Sequence, residues 1–127
     1  MRILEIGERT LDNWIKEKIG CTGRLSIQDI KEYQLNKLRQ TIDYVSRNST
    51  FYQKHLQGYS GQGLTQLKDL GKLPFTYPQD LRNKSLKMLC VSQSEIERVV
   101  TLDSSGTTGD PKRLYFTADD QELTIDF

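Results

Sequence analysis

Apolar residues at helical spacing open the chain. Leu4, Leu11, Trp14, Ile15 and Ile19 share one face, and Gly20 follows where a helix C-terminus favours glycine. A longer stripe of Ile27, Ile30, Leu35, Leu38, Ile42 and Val45 predicts a second helix, and Ser26 with Asp29 three residues on marks its start. The stripe stops at Asn48-Ser49-Thr50, and Phe51, Tyr52 and Leu56 then predict a short third helix. Residues 58–63 hold three glycines and are expected to form a mobile loop. A short helix bearing Leu64, Leu67 and Leu70 leads into Leu73-Pro74-Phe75-Thr76. Thr76 and Gln79 have capping-box spacing with Pro78 in the first turn, which predicts a further short helix over 79–82. From Val99 the period changes. Val99-Val100-Thr101-Leu102 and Arg113-Leu114-Tyr115-Phe116 read as two strands around a loop of small residues, and Thr117 with Asp120 caps a final helix.

These elements define an α+β chain: a mostly helical subdomain followed by a β-hairpin and the start of a helix. The expected divisions are 1–25, a helix of unclear relationship, 26–98, the helical subdomain, and 99–127, the hairpin and final helix. With 127 residues there is room for one compact domain. Apolar residues make up 35% and charged residues 28%, a mixture that suits either a helical domain with much surface or a piece of a larger core. The second reading is preferred, because a hairpin without a neighbouring sheet and a final helix of barely two turns both point to a larger α/β domain.

Charge narrows the possible partners. Lysine and arginine number 18 against 17 aspartates and glutamates, a formal charge of +1, with the basic residues spread along the predicted helices. Strong electrostatic capture of nucleic acid or of an anionic membrane is not expected. No apolar run approaches membrane-spanning length and the N-terminus alternates charge with apolar residues, so a cytoplasmic location is the expectation. Cys21 and Cys90 lie far apart and outside any CxxC spacing, and are expected to be reduced and structural. His55 is the lone histidine and is assigned to the surface or to helix packing.

The candidate chemistry sits in Ser104-Ser105-Gly106-Thr107-Thr108-Gly109-Asp110-Pro111-Lys112. Two glycines allow backbone N–H groups to converge, four hydroxyls add short donors, and Lys112 supplies a positive charge at the far side. Such a set suits a polyanion such as a nucleotide triphosphate tail. It is not a Walker A loop, since Pro111 stands five residues after Gly106 and a strand follows in place of a helix. Asp103, alone before a turn, reads as a turn-stabilising residue, and no metal ligands are assigned.

The segment resembles the phosphate-binding signature of the adenylate-forming superfamily of acyl-CoA synthetases, adenylation domains and luciferases. Upstream, Leu38-Arg39-Gln40-Thr41-Ile42-Asp43-Tyr44-Val45, Ser49-Thr50-Phe51-Tyr52, Asp69-Leu70, Leu73-Pro74-Phe75-Thr76 and Asp80-Leu81-Arg82 are similar, in the same order, to the phenylacetate–CoA ligase family. The resemblance runs from about residue 34 to residue 127. It implies an enzyme that uses ATP with Mg2+ to activate a small-molecule carboxylate, aryl or fatty, as an acyl-adenylate and passes the acyl group to coenzyme A. By the same resemblance, Ser104, Ser105, Gly106, Thr107, Thr108 and Gly109 hold the β- and γ-phosphates. Lys112 is the catalytic residue, stabilising charge near the leaving pyrophosphate. A homodimeric parent fits this reading.

Two features depart from the family. Asp110 stands where the family often carries lysine or arginine, and residues 1–25 do not match its pattern. Transfer to a protein thiol, adenylation of a deazaflavin cofactor, or a non-catalytic helical interaction module therefore stay open as alternatives. Because the family's adenine-binding segment and C-terminal lysine have no counterpart among the 127 residues, the chain alone is expected to be inactive.

Overall fold

The computed structural model describes residues 10–103 and 111–126. Helix α1 (Leu11–Ile19) begins at Thr10, whose hydroxyl accepts the Asn13 N–H, and ends at Gly20 with φ 71°, as its glycine predicts. Leu4, assigned to the same stripe, lies outside the described residues. Helix α2 (Ile27–Asn48) starts where expected. The Ser26 hydroxyl accepts from Asp29 N at 3.1 Å, and the Asp29 carboxylate accepts from Ser26 N at 2.9 Å. The stripe is offset at its start, for Ile27 stays 72% exposed and the apolar centre lies further along, at Ile42.

That centre is small. Ile42, Leu56 and Leu64 form it, with Leu35, Leu38, Val45, Tyr52 and Leu73 packed around them. Helix α3 (Thr50–His55) is capped by the Ser49 hydroxyl, buries Phe51, and turns the chain so that Leu56 reaches Ile42. His55 is half-buried, its ring stacked on Phe51 with centroids 4.8 Å apart and its Nε2–H donating to the Phe75 carbonyl at 2.9 Å.

The glycine stretch reverses its expectation. Residues 61–63 form a single 3-10 turn, Gly61–Gly63, pinned against α2. Gly61 N donates to the Asp43 carboxylate at 2.8 Å, and Arg39 Nε donates to the Leu64 carbonyl at 2.7 Å. A Cβ at Gly61 would lie 2.5 Å from the Arg39 carbonyl oxygen and 2.7 Å from an Asp43 oxygen. Glycine here gives close approach of two backbones, and the loop is tied down by it.

The expected short helix is present as a second 3-10 segment, Leu67–Lys72, which leaves Leu70 exposed. Its organising group is Asp69, 1% exposed. One carboxylate oxygen accepts from Thr65 N at 2.8 Å, the Thr65 hydroxyl at 3.0 Å and Gln66 N at 3.1 Å, while the other meets Lys72 Nζ at 2.9 Å. The Lys72 ammonium first, and then the Thr65 N–H, hold this carboxyl well below the usual range.

Helix α4 runs Pro78–Met88, much longer than the predicted 79–82, and leaves helical geometry at Lys84 (φ −132°, ψ 16°). Its cap is Tyr77, one residue later than expected, because it is Asp80 that accepts the N-terminal N–H, from Tyr77 at 3.0 Å. The Thr76 hydroxyl instead pairs with the Tyr52 hydroxyl at 3.4 Å.

After a 3-10 turn at Gln93–Glu95, strands β1 (Ile96–Leu102) and β2 (Lys112–Thr117) pair antiparallel, with an irregularity between Ile96 and Arg98. The hairpin thus starts earlier than the division expected at residue 99. Helix α5 (Ala118–Ile125) follows directly, with the predicted box in place: Thr117 N donates to Asp120 at 2.9 Å and Asp120 N to the Thr117 hydroxyl at 3.2 Å. Helices α4 and α5 both pack on β2, giving the α+β arrangement expected. Cys21 and Cys90 are free and half-buried, and burial pushes the Cys90 thiol up.

Gly61→Ala should destabilise the chain by about 1–3 kcal/mol through the backbone clash. Gly71→Ala, where an added Cβ meets nothing within 4 Å, should leave stability nearly unchanged. Urea denaturation of the two variants tests this, and equal effects would contradict the close-approach reading. The carboxyls of Asp29, Asp69 and Asp80 are all depressed in the folded chain. Their contribution is therefore complete above the unfolded carboxyl value of about 3.9 and is lost as pH falls below it. Thermal melts should show Tm falling on that acid limb, with a flatter limb and a lower neutral Tm for Asp69→Asn. An acid limb of unchanged steepness in that variant would exclude Asp69 as its main source.

Candidate functional site

The hairpin register fixes what surrounds the small-residue segment. Leu102 pairs with Lys112, Thr101 with Arg113, Val100 with Leu114 and Val99 with Tyr115. Residues opposed in an antiparallel pair point to the same face. Lys112 therefore shares a face with Leu102, Val100, Leu114 and Phe116, while Arg113 and Tyr115 lie on the other.

The two faces meet different surroundings. Arg98, Val100 and Phe116 line a cavity of about 250 Å3 with Gln121, Thr124 and Ile125 of α5. Tyr115 and Thr117 line another of about 430 Å3, closed by Tyr44 of α2, the stretch from Met88 to Val91, and the first turn of α5. The Lys112 side of the hairpin is thus the α5 side, and the opposite side packs towards the helical subdomain.

Of the residues assigned to phosphate binding, Ser104, Ser105, Gly106, Thr107, Thr108 and Gly109, with Asp110, lie outside the described residues. Lys112 is described, and it is placed differently from expectation: it is the first residue of β2 and half-buried in the ladder. Its backbone belongs to the strand, so what it can offer a ligand is its ε-ammonium. Pro111 has no N–H to donate. Asp103 is exposed at the end of β1. Strand pairing fixes the Lys112 backbone ahead of any ligand, while its four-carbon stem lets the ammonium adjust to one.

No linear motif marks a second gathering of charge. Lys54, Lys84 and Lys87 come together with Thr50, Phe51 and His55 around a cavity of about 520 Å3. Its traces in the sequence are Thr50 with Lys54 and Phe51 with His55, each pair four residues apart on α3, and the three-residue spacing of Lys84 and Lys87 on α4. Among the described residues no group of three or more His, Cys, Asp or Glu side chains could hold a metal ion, and no helix is long and apolar enough to cross a membrane.

No family model matches the chain. Among curated proteins it is 36% identical over 98 residues to a phenylacetate–coenzyme A ligase of Pseudomonas putida, a match covering 75% of this chain and 22% of that protein. It is 33% identical over 100 residues to the phenylacetate–coenzyme A ligase of Aromatoleum evansii, and 32% identical over 99 residues to that of Thermus thermophilus. Each of these covers 76% of this chain and 22% of the relative. The chain therefore spans about a fifth of the length of the curated relatives it matches. It belongs to a phenylacetate–CoA ligase-like family, as the ordered motifs from Leu38 to Arg82 imply.

Replacing Lys112 by methionine keeps the stem and removes the charge. The substitution should change unfolding free energy by no more than about 1 kcal/mol, because Lys112 has no ion pair among the described residues. A larger loss on urea denaturation would make Lys112 a structural residue.

Proposed function

We propose that this chain supplies the pyrophosphate-side segment of an ATP-dependent ligase that activates an aryl or fatty carboxylate as its acyl-adenylate and hands the acyl group to coenzyme A. The observation that carries the reading is the 32–36% identity to three phenylacetate–coenzyme A ligases over three quarters of the chain. In this reading the hydroxyls of Ser104, Ser105, Thr107 and Thr108 and the N–H groups released by Gly106 and Gly109 bind the β- and γ-phosphates. Lys112 offsets the charge that builds on the leaving pyrophosphate as the carboxylate attacks the α-phosphorus. The strand holds the Lys112 backbone before substrate arrives, so only its side chain has to be ordered as the charge develops. Mg2+ accompanies ATP in this chemistry and would shield its phosphates; the chain's described residues provide no ligand cluster for it. Asp110 sits within the anion segment in sequence, where its charge opposes that of the phosphates.

Phenylacetate-dependent ATP–pyrophosphate exchange tests the assignment in a polypeptide that carries this chain together with the remaining length of the relatives. Gly106→Ala combined with Lys112→Met should reduce exchange by roughly 10²–10³, as removal of a transition-state donor does elsewhere. Exchange at the unaltered rate would remove the phosphate role from this segment. The 127-residue chain by itself should show no exchange, and measurable exchange from it would overturn that expectation.

A further inference from the structure

The helical subdomain concentrates positive charge where two helices meet. Lys54 projects from α3, and Lys84 and Lys87 from α4, around the cavity of about 520 Å3 that Phe51 and His55 also line. The walls are held in place from behind. The hydroxyl of Ser49, a residue 1% exposed, donates to the Lys87 carbonyl at 2.9 Å, and the Thr50 hydroxyl donates to the same oxygen at 3.3 Å. These bonds tie the last turn of α4 to the first turn of α3. His55 is fixed by its stacking on Phe51 and its bond to the Phe75 carbonyl.

The charges around this cavity do not balance. Asp80 is the carboxylate paired with one of the lysines, 3.5 Å from Lys84, and it already accepts the Tyr77 N–H. The Lys84 ammonium also lies 5.7 Å from the Phe51 ring centroid, a cation–π arrangement that engages it further. Lys54 and Lys87 have no carboxylate partner among the described residues. Lys54 and Lys87 put like charges on the lining of one space, and an anion bound there is attracted by both. Each ammonium offers three donors as a compact point charge, which suits the oxygens of a tetrahedral dianion better than the planar fork of a carboxylate.

We propose that this cavity binds a phosphate-bearing small molecule, with Lys54 and Lys87 as its two principal cationic donors. The site is independent of the role given to residues 104–112, so either assignment can fail without the other. The 127-residue chain, labelled with 15N, is titrated with inorganic phosphate, with phenyl phosphate, and with acetate at matched ionic strength. Saturable amide shifts confined to Thr50, Lys54, Lys84 and Lys87 are expected with both phosphates and not with acetate. Lys54→Gln combined with Lys87→Gln should weaken binding roughly tenfold or more, with the amide positions of Ile42 and Leu64 unchanged. Lys54→Gln alone, at an exposed position, gives the same readout where the pair of changes disturbs folding. Tighter binding of phenyl phosphate assigns the site to organic phosphate esters, and equal binding assigns it to free phosphate. Shifts that acetate reproduces, or an affinity unaltered by the substitutions, overturn the proposal.

Discussion

The fold depends on one buried carboxylate. Asp69 lies in the connection between α2–α3 and α4, where the backbone makes only short 3-10 turns, and its side chain supplies acceptors for Thr65 N, the Thr65 hydroxyl and Gln66 N. A buried charge is costly unless it is both paired and hydrogen-bonded. Here Lys72, largely in solvent, brings its ammonium to the other oxygen at 2.9 Å. The arrangement matters because the apolar centre is so limited. Ile42, Phe51, Leu56 and Leu64 are the buried hydrophobic residues among those described. With so few of them, the irregular stretch from Leu56 to Leu73 is held as much by polar groups as by apolar contact.

The same means recur along α2. Arg39 and Asp43 stand one turn apart on that helix, and between them they take the Leu64 carbonyl and the Gly61 N–H. The loop is thereby laid down on the helix at two points, and Leu64 is delivered to Ile42 between them. At the other end Ser49 serves two elements, capping α3 through Tyr52 N and holding α4 through the Lys87 carbonyl. Helix α2 is the common support: α3, the Gly61–Gly63 turn and α4 are each held by a side chain of α2 or of the residue that ends it.

What the sequence makes legible is local in range. The boxes at Ser26/Asp29 and Thr117/Asp120, the glycine after α1 and the two strands all depend on residues within a few positions of one another, and each is present. The same rule misplaces the start of α4. Thr76 and Gln79 have the right spacing, but Asp80 is the stronger acceptor and moves the cap to Tyr77. Gly61 misleads because its function is set by Arg39 and Asp43, which local composition does not reveal. The lysine cavity is hidden for a related reason: it exists only once α4 folds back onto α3. For the candidate phosphate segment, residue types and order carry the reading, whereas the place of Lys112 within a ladder comes from the strand register.

That last difference bears on how an anion site of this kind would work. A glycine- and hydroxyl-rich sequence gains a binding conformation only by giving up backbone entropy when its ligand arrives. A lysine held in the adjoining strand makes no such sacrifice in its backbone. Lys112 is paired with Leu102, and its strand is braced by α5 on one side and by the helical subdomain on the other. In the proposed site the two roles are therefore separate, with a lysine whose backbone the ladder holds supplying charge and the intervening segment supplying donors.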